Sequence, residues 1–239
     1  MGVMKENFVR HAHDLTFAPT GLWNFVQGNE LVDSSGNGKN LTQDDAATDS
    51  DDFVTNEAEG LTHFGFYRNN STDYQYTGAM SLCCLVRSSD WVPNSSNNYV
   101  QLAACDSAAG SVDARFTFQV TPTGTLRYHH NGAHGTFVVA ATEFNRELTA
   151  WQHIGFTRDA PGTTIKIYVN GTMIASGTLG SAPGTVGTAY LSLGELHSST
   201  SSLNTNYTET SVAIFDKELS ADEIKYLARK TLGYSEVSG

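Results

Sequence analysis

The chain has 239 residues, 39% of them hydrophobic, and a formal net charge of −11. That length and apolar content suit one large β domain or two small ones and argue against a disordered chain. The acid excess, with no Lys/Arg cluster, excludes a general nucleic-acid binder, and no apolar run of about 18 residues is present to span a membrane.

Residues 1–20 (MGVMKENFVRHAHDLTFAPT) read as an N-terminal arm, a short helix or a segment that docks on a partner, with a loosely held terminus as the alternative, and residues 21–239 as one domain. The N-terminus lacks the apolar core of a secretory signal, so either export does not use one or a signal has been removed. Trp23 and Phe25 alternate with Leu22, Asn24 and Val26 in a first strand, and Asp33-Ser-Ser-Gly-Asn-Gly38 forms a tight turn in which the Asp caps backbone amides. Residues 43–60 are the most acidic stretch. Asp44, Asp45, Asp49, Asp51 and Asp52 invite a calcium reading, but the spacing of an EF-hand loop is absent. A solvated acidic loop is expected, with calcium as the alternative and no other cofactor.

Short strands follow at residues 62–66 and 74–77, and the near-continuous apolar run at 79–87 predicts a central strand. Adjacent Cys83 and Cys84 must point to opposite faces of it, one to the core and one outward. With Cys105 they make an odd count, read as free thiols, a bridge from Cys105 being the alternative. A polar loop over residues 88–98 carries Trp91, and strands are predicted at 99–105, 114–120, 125–130 and 135–141. Trp91 and Tyr99 flank that loop and are the candidate ligand-binding residues, since aromatic faces stack on pyranose rings. Pro122-Thr-Gly124 and Asn131-Gly132 read as hairpin turns. A two-residue turn at the latter sets His129 opposite His134, a pair able to chelate, but no third metal ligand is identifiable, so a packing or solvent-facing role is expected.

Residues 151–174 contain the strongest local pattern. Gln152, Ile154 and Phe156 alternate with Trp151, His153, Gly155 and Thr157; Asp159, Ala160, Pro161 and Gly162 break the run; Ile165, Ile167 and Val169 then share a face. Trp151 is read as core. Asn170-Gly171 suits a type I′ hairpin that pairs Val169 with Thr172, Tyr168 with Met173 and Ile167 with Ile174. Near the end, Ser220-Ala-Asp-Glu223 is a capping box, Ile224, Leu227, Ala228 and Leu232 form one stripe, and Gly233 suits the left-handed position after a helix. That helix is expected on the edge or rim of the sheets.

The Trp-x-His strand, the Tyr-Val-Asn-Gly hairpin, the opening strand and turn at 22–42, Leu191-Ser-Leu-Gly194, and the last strand and helix at 212–227 occur in an order that resembles the laminin-G-like, concanavalin-type jelly rolls. The resemblance implies an all-β antiparallel jelly-roll sandwich with one C-terminal helix. Many relatives carry Ile-Asp-Glu-Val before the last strand; here Glu209, Thr210, Ser211 and Val212 stand there, so the role of that acidic pair does not carry over. No same-face carboxylate array, G-x-S-x-G, H-E-x-x-H or P-loop is found, so no catalytic residue is assigned. The expected function is a non-catalytic recognition or structural module. It is expected as a phage virion component that contacts other virion proteins or its own copies and faces a surface glycan. A secreted carbohydrate-binding or adhesion domain, hence extracellular, is the alternative, and a glycan-active hydrolase is third.

Overall fold

The computed structural model describes residues 2–25, 31–43, 55–56, 60–61, 66–69, 76–88, 100–107, 116–121, 123–130, 137–139, 150–184, 189–193 and 207–233. The elements are α1 (Gly2–His13), β1 (Gly21–Asn24), β2 (Thr42–Gln43), β3 (Thr55–Asn56), β4 (Gly60–Leu61), β5 (Phe66–Asn69), β6 (Met80–Ser88), β7 (Val100–Ser107), β8 (Phe116–Val120), β9 (Leu126–His129), β10 (Phe137–Val139), β11 (Gln152–Arg158), β12 (Thr164–Val169), β13 (Thr172–Thr178), β14 (Ala189–Leu193), β15 (Tyr207–Phe215) and α2 (Ala221–Leu232). They form two antiparallel sheets. The first runs β13-β12-β11-β6-β15-β4-β3, with β1 also on β15; the second runs β10-β9-β8-β7-β14-β5-β2.

Strand alternation sorts the side chains of the first sheet. Leu82, Cys84 and Val86 on β6, Ile154 and Phe156 on β11, Ile165 and Ile167 on β12, and Val212 and Ile214 on β15 point into the space between the sheets. Phe116, Phe118, Leu126, Tyr128, Leu191 and Leu193 of the second sheet meet them there. Phe156 lies at the centre, with the rings of Phe116, Phe118 and Tyr128 at centroid distances of 5.6, 5.3 and 4.6 Å. Burial of this apolar layer is the main stabilising term of the fold.

The opposite face of the first sheet is covered too. Leu22, Cys83, Leu85, Tyr168, Ala213 and Phe215 pack against Phe8 and Ala12 of α1 and Ile224 and Leu227 of α2. The C-terminal helix therefore lies across the sheet beside α1, not on a rim, because its Ile224–Leu227–Ala228 stripe needs a broad apolar surface. The capping box and the left-handed Gly233 form as expected. Within residues 1–20, Gly2–His13 form helix α1, and its Phe8 and Ala12 are buried inside the fold. Cys83 is consequently buried like Cys84 and Cys105, not outward, and none of the three is in a disulfide. Trp151 is half-buried beneath the guanidinium of Arg87, which sits 5.1 Å from its ring centroid, so it joins the layer under the helices and not the inter-sheet core.

The β12–β13 turn has Asn170 at φ 50° and Gly171 at φ 81°, as a type I′ hairpin requires. Val169 pairs with Thr172 and Tyr168 with Met173, but Ile167 pairs with Ala175, because a bulge in β13 shifts the register by one residue. A β-carbon at Gly171 would also stand 2.9 Å from Lys225 Cα of α2. Gly171→Val should therefore cost about 1–3 kcal/mol in denaturant titration. An unchanged midpoint would refute this role for the turn. The Asp33 carboxylate accepts from the amides of Leu22, Ser35 and Lys39, so it braces the turn onto β1.

Candidate functional site

The helices cover the outer face of the first sheet, and the opposite side of the sandwich is formed by the outward face of the second sheet. Alternation assigns its side chains. Phe116, Phe118 and Val120 point inward, so Thr117 and Gln119 point outward; Leu126 and Tyr128 set Arg127 and His129 outward; Leu191 and Leu193 set Ser192 outward. Backbone register joins them into rows. Ser192 pairs with Ala104, Ala104 with Thr117 and Thr117 with His129, while Gln119 pairs with Arg127. Thr117, Gln119 and Ser192 are buried, Arg127 and His129 half-buried, and the Ser192 hydroxyl has no hydrogen-bond partner. Burial first, then the nearby Arg127 and His130, lowers the His129 pKa to about 4, so this imidazole is neutral at pH 7. These side chains donate and accept hydrogen bonds.

At one end of this sheet a buried polar relay crosses the sandwich. Arg158, fully buried at the end of β11, donates Nε to Gly78 O at 2.7 Å, Nη1 to the Tyr128 hydroxyl at 3.0 Å and Nη2 to Tyr76 O. Tyr128 Oη lies 3.2 Å from His130 Nδ1, and His130 Nε2 lies 2.6 Å from Ser181 O. A carbonyl only accepts, so Nε2 carries the proton, Nδ1 accepts from the phenol, and the phenol oxygen accepts from Arg158. Burial lowers the His130 pKa and raises that of Tyr128, the latter partly offset by the Arg158 charge, which keeps both groups neutral in this chain of donors.

The candidate residues Trp91 and Tyr99 lie outside the described residues, as do Asp44, Asp45, Asp49, Asp51, Asp52 and His134. His129 pairs with Phe137, so the two-residue turn that would set it opposite His134 is not formed; the connection runs through residues 130–136. His130 packs in the relay. Ser211 lies inside β15 beside a register shift, and its hydroxyl donates to Asn24 Oδ1 at 3.0 Å, a structural contact. Among the described residues no group of three His, Cys, Asp or Glu could hold a metal ion, and no helix is long and apolar enough to cross a membrane. The outward row of the second sheet was missed in the sequence, although its signal, the alternation in Phe-Thr-Phe-Gln-Val and Leu-Arg-Tyr-His, is there to be read.

Residues 67–225 match the laminin G family model described as the concanavalin A-like lectin/glucanases superfamily. The chain belongs to this superfamily. Solved structures agree in fold. The receptor-binding domain of botulinum neurotoxin mosaic serotype C/D superposes with a TM-score of 0.60 at 15% identity, over 89% of this chain and 50% of that one. A Trypanosoma rangeli sialidase gives 0.65 at 13% identity, over 97% and 39%. Domain 4 of an extracellular GH43 arabinanase from Geobacillus stearothermophilus, solved with arabinotriose, gives 0.58 at 17% identity, over 89% and 98%. The chain thus spans about half of the neurotoxin domain and less of the sialidase. No curated protein matches it. Superfamily membership and the two-sheet architecture agree with the jelly roll expected from the sequence, and at these identities the structures speak to fold alone.

Proposed function

We propose that the chain is a non-catalytic recognition module that binds a glycan on the outward face of its second sheet. The observation that carries this reading is the row of hydrogen-bonding side chains, Thr117, Gln119, Arg127, His129 and Ser192, on that face, while the helices occupy the other. Neutral donors and acceptors beside one guanidinium suit sugar hydroxyls. The arabinotriose-bound arabinanase domain and the neurotoxin receptor-binding domain give the reading precedent in the same fold. Trp91 and Tyr99 belong to the proposal as stacking aromatics. So does its setting on the outside of a phage particle, in contact with other virion proteins or further copies; three buried cysteines outside any disulfide support folding in a reducing compartment. An extracellular adhesion domain is the rival setting.

The test is calorimetric titration with oligosaccharides chosen from a glycan array, together with an assay for released reducing ends. Binding should weaken at least tenfold in Arg127→Ala with Gln119→Ala, and no reducing ends should appear. Unaltered affinity in that variant would remove the assigned face, and turnover abolished by one carboxylate substitution would make the protein an enzyme.

A further inference from the structure

The layer between the first sheet and the helices holds an unusual concentration of unsatisfied polar atoms. Both ring nitrogens of His153 and Trp151 Nε1 on β11 or its leading residue, and Thr231 Oγ1 on α2, are buried without a hydrogen-bond partner. Trp151 and His153 share the face of β11 that looks toward the helices. Each such orphan costs about 1–3 kcal/mol in a permanently closed interface, whereas water would satisfy all of them if the cover lifted. His153 is fully buried, and its ring centroid lies 6.0 Å from that of Phe8 on α1.

The two helices are unequal as covers. α2 has a capping box at its start, a left-handed glycine at its end and acidic residues in its first turn. α1 has no acidic residue in its first turn, and it joins the sheet through a single connection to β1. We propose that α1 is an acid-released cover: protonation of His153 detaches α1 from the first sheet while α2 and the sandwich stay folded.

The strands beside His153 bring it no carboxylate among the described residues: on β6 the neighbouring positions are Cys83, Leu85 and Arg87, and on β12 Tyr168 and Asn170; of the covering helices, α1 carries Glu6, Arg10, His11 and His13, and α2 carries Asp222, Glu223, Lys225 and Tyr226. Burial pushes the Cys83 thiol up to about 12 and raises the Tyr168 phenol, so both stay neutral. The carboxylate of Asp14 is taken by His11 Nδ1 at 2.9 Å. Burial lowers the His153 pKa to about 4, against a slight opposing pull from its own main chain. The open form, with a solvated imidazole, titrates near the ordinary value of about 6.5. The open form thus binds the proton more tightly, so the closed cover is stable at neutral pH and loses ground as pH falls from about 6.5 toward about 4. Linkage moves the opening equilibrium by on the order of a hundredfold across that window.

Hydrogen exchange of the full-length protein at pH 7 and pH 4.5, corrected for intrinsic rates, tests this. Protection of the α1 amides should fall at least tenfold at pH 4.5, with α2 and β11 unchanged, and His153→Leu should hold α1 protection constant between the two pH values. Equal α1 protection at both pH values in the wild type overturns the proposal. So does an equal loss in the wild type and His153→Leu, or simultaneous loss from α1, α2 and β11. Should His153→Leu fail to fold, NMR titration of the wild-type imidazole decides: a pKa near 6.5 with unaltered α1 protection also refutes it.

Discussion

Arg158→Leu is expected to destabilise the protein by about 3–5 kcal/mol, lowering the melting temperature by roughly 6–20 °C. Leucine fills much of the space but leaves the carbonyls of Gly78 and Tyr76 without their donor and takes Tyr128 out of the relay. The planar fork matters as much as the charge. Arg158→Lys should recover little, since one ammonium cannot reach three acceptors that point in different directions. Tyr128→Phe, which removes the middle of the relay and keeps the ring packed on Phe156, should cost about 1–2 kcal/mol. Equilibrium urea unfolding measures all three. An Arg158→Leu midpoint within experimental scatter of the wild type would mean that the relay contributes nothing to stability.

Gly155→Ala should be nearly as damaging, at about 2–4 kcal/mol. Gly155 occupies the middle of β11, opposite Cys83 on one side and Tyr168 on the other. A β-carbon there would lie 2.4 Å from the Leu82 carbonyl oxygen and 3.2 Å from Cys83 Cα. Backbone atoms in a central strand cannot turn aside as a long side chain can, so β6 and β11 must separate. Gly180→Ala is the matched control. Its added methyl meets nothing within 4 Å, so it should be neutral or slightly stabilising through the unfolded chain. Equal melting temperatures for the two alanine variants would refute the argument.

The parts of the fold that were legible in the sequence are those set by local chemistry. Asn170-Gly171 needs only its own positive φ values, and the Ser220–Glu223 box needs only one helical turn, so both could be read directly. The β13 bulge could not, because it depends on how Ile167 and Ala175 meet across strands. The place of α2 was also hidden. Its stripe shows that it must bury something, but only the apolar outer face of the first sheet, built from Leu22, Cys83, Leu85, Ala213 and Phe215 in three separate strands, shows what. Arg158 was passed over because a cation before Asp-Ala-Pro-Gly looks like the solvent-facing end of a strand. Its burial is imposed by tertiary acceptors on residues 76 and 78 and on β9. At the site, the rows joining Ser192, Ala104, Thr117 and His129 bring together residues up to 88 positions apart in the chain (192 − 104), which no local pattern records.

The positions of the thiols give the molecule two internal clocks. Cys83 lies beneath the helices, whereas Cys84 and Cys105 lie between the sheets, and none is reachable by an alkylating reagent in the closed protein. Only the exposed thiolate reacts, so each sulfur is modified at the rate at which its own layer opens. A brief pulse of iodoacetamide followed by peptide mass analysis would therefore time two events separately in one unmodified sample. Alkylation at Cys83 reports loosening of the helical cover, and alkylation at Cys84 and Cys105 reports parting of the two sheets.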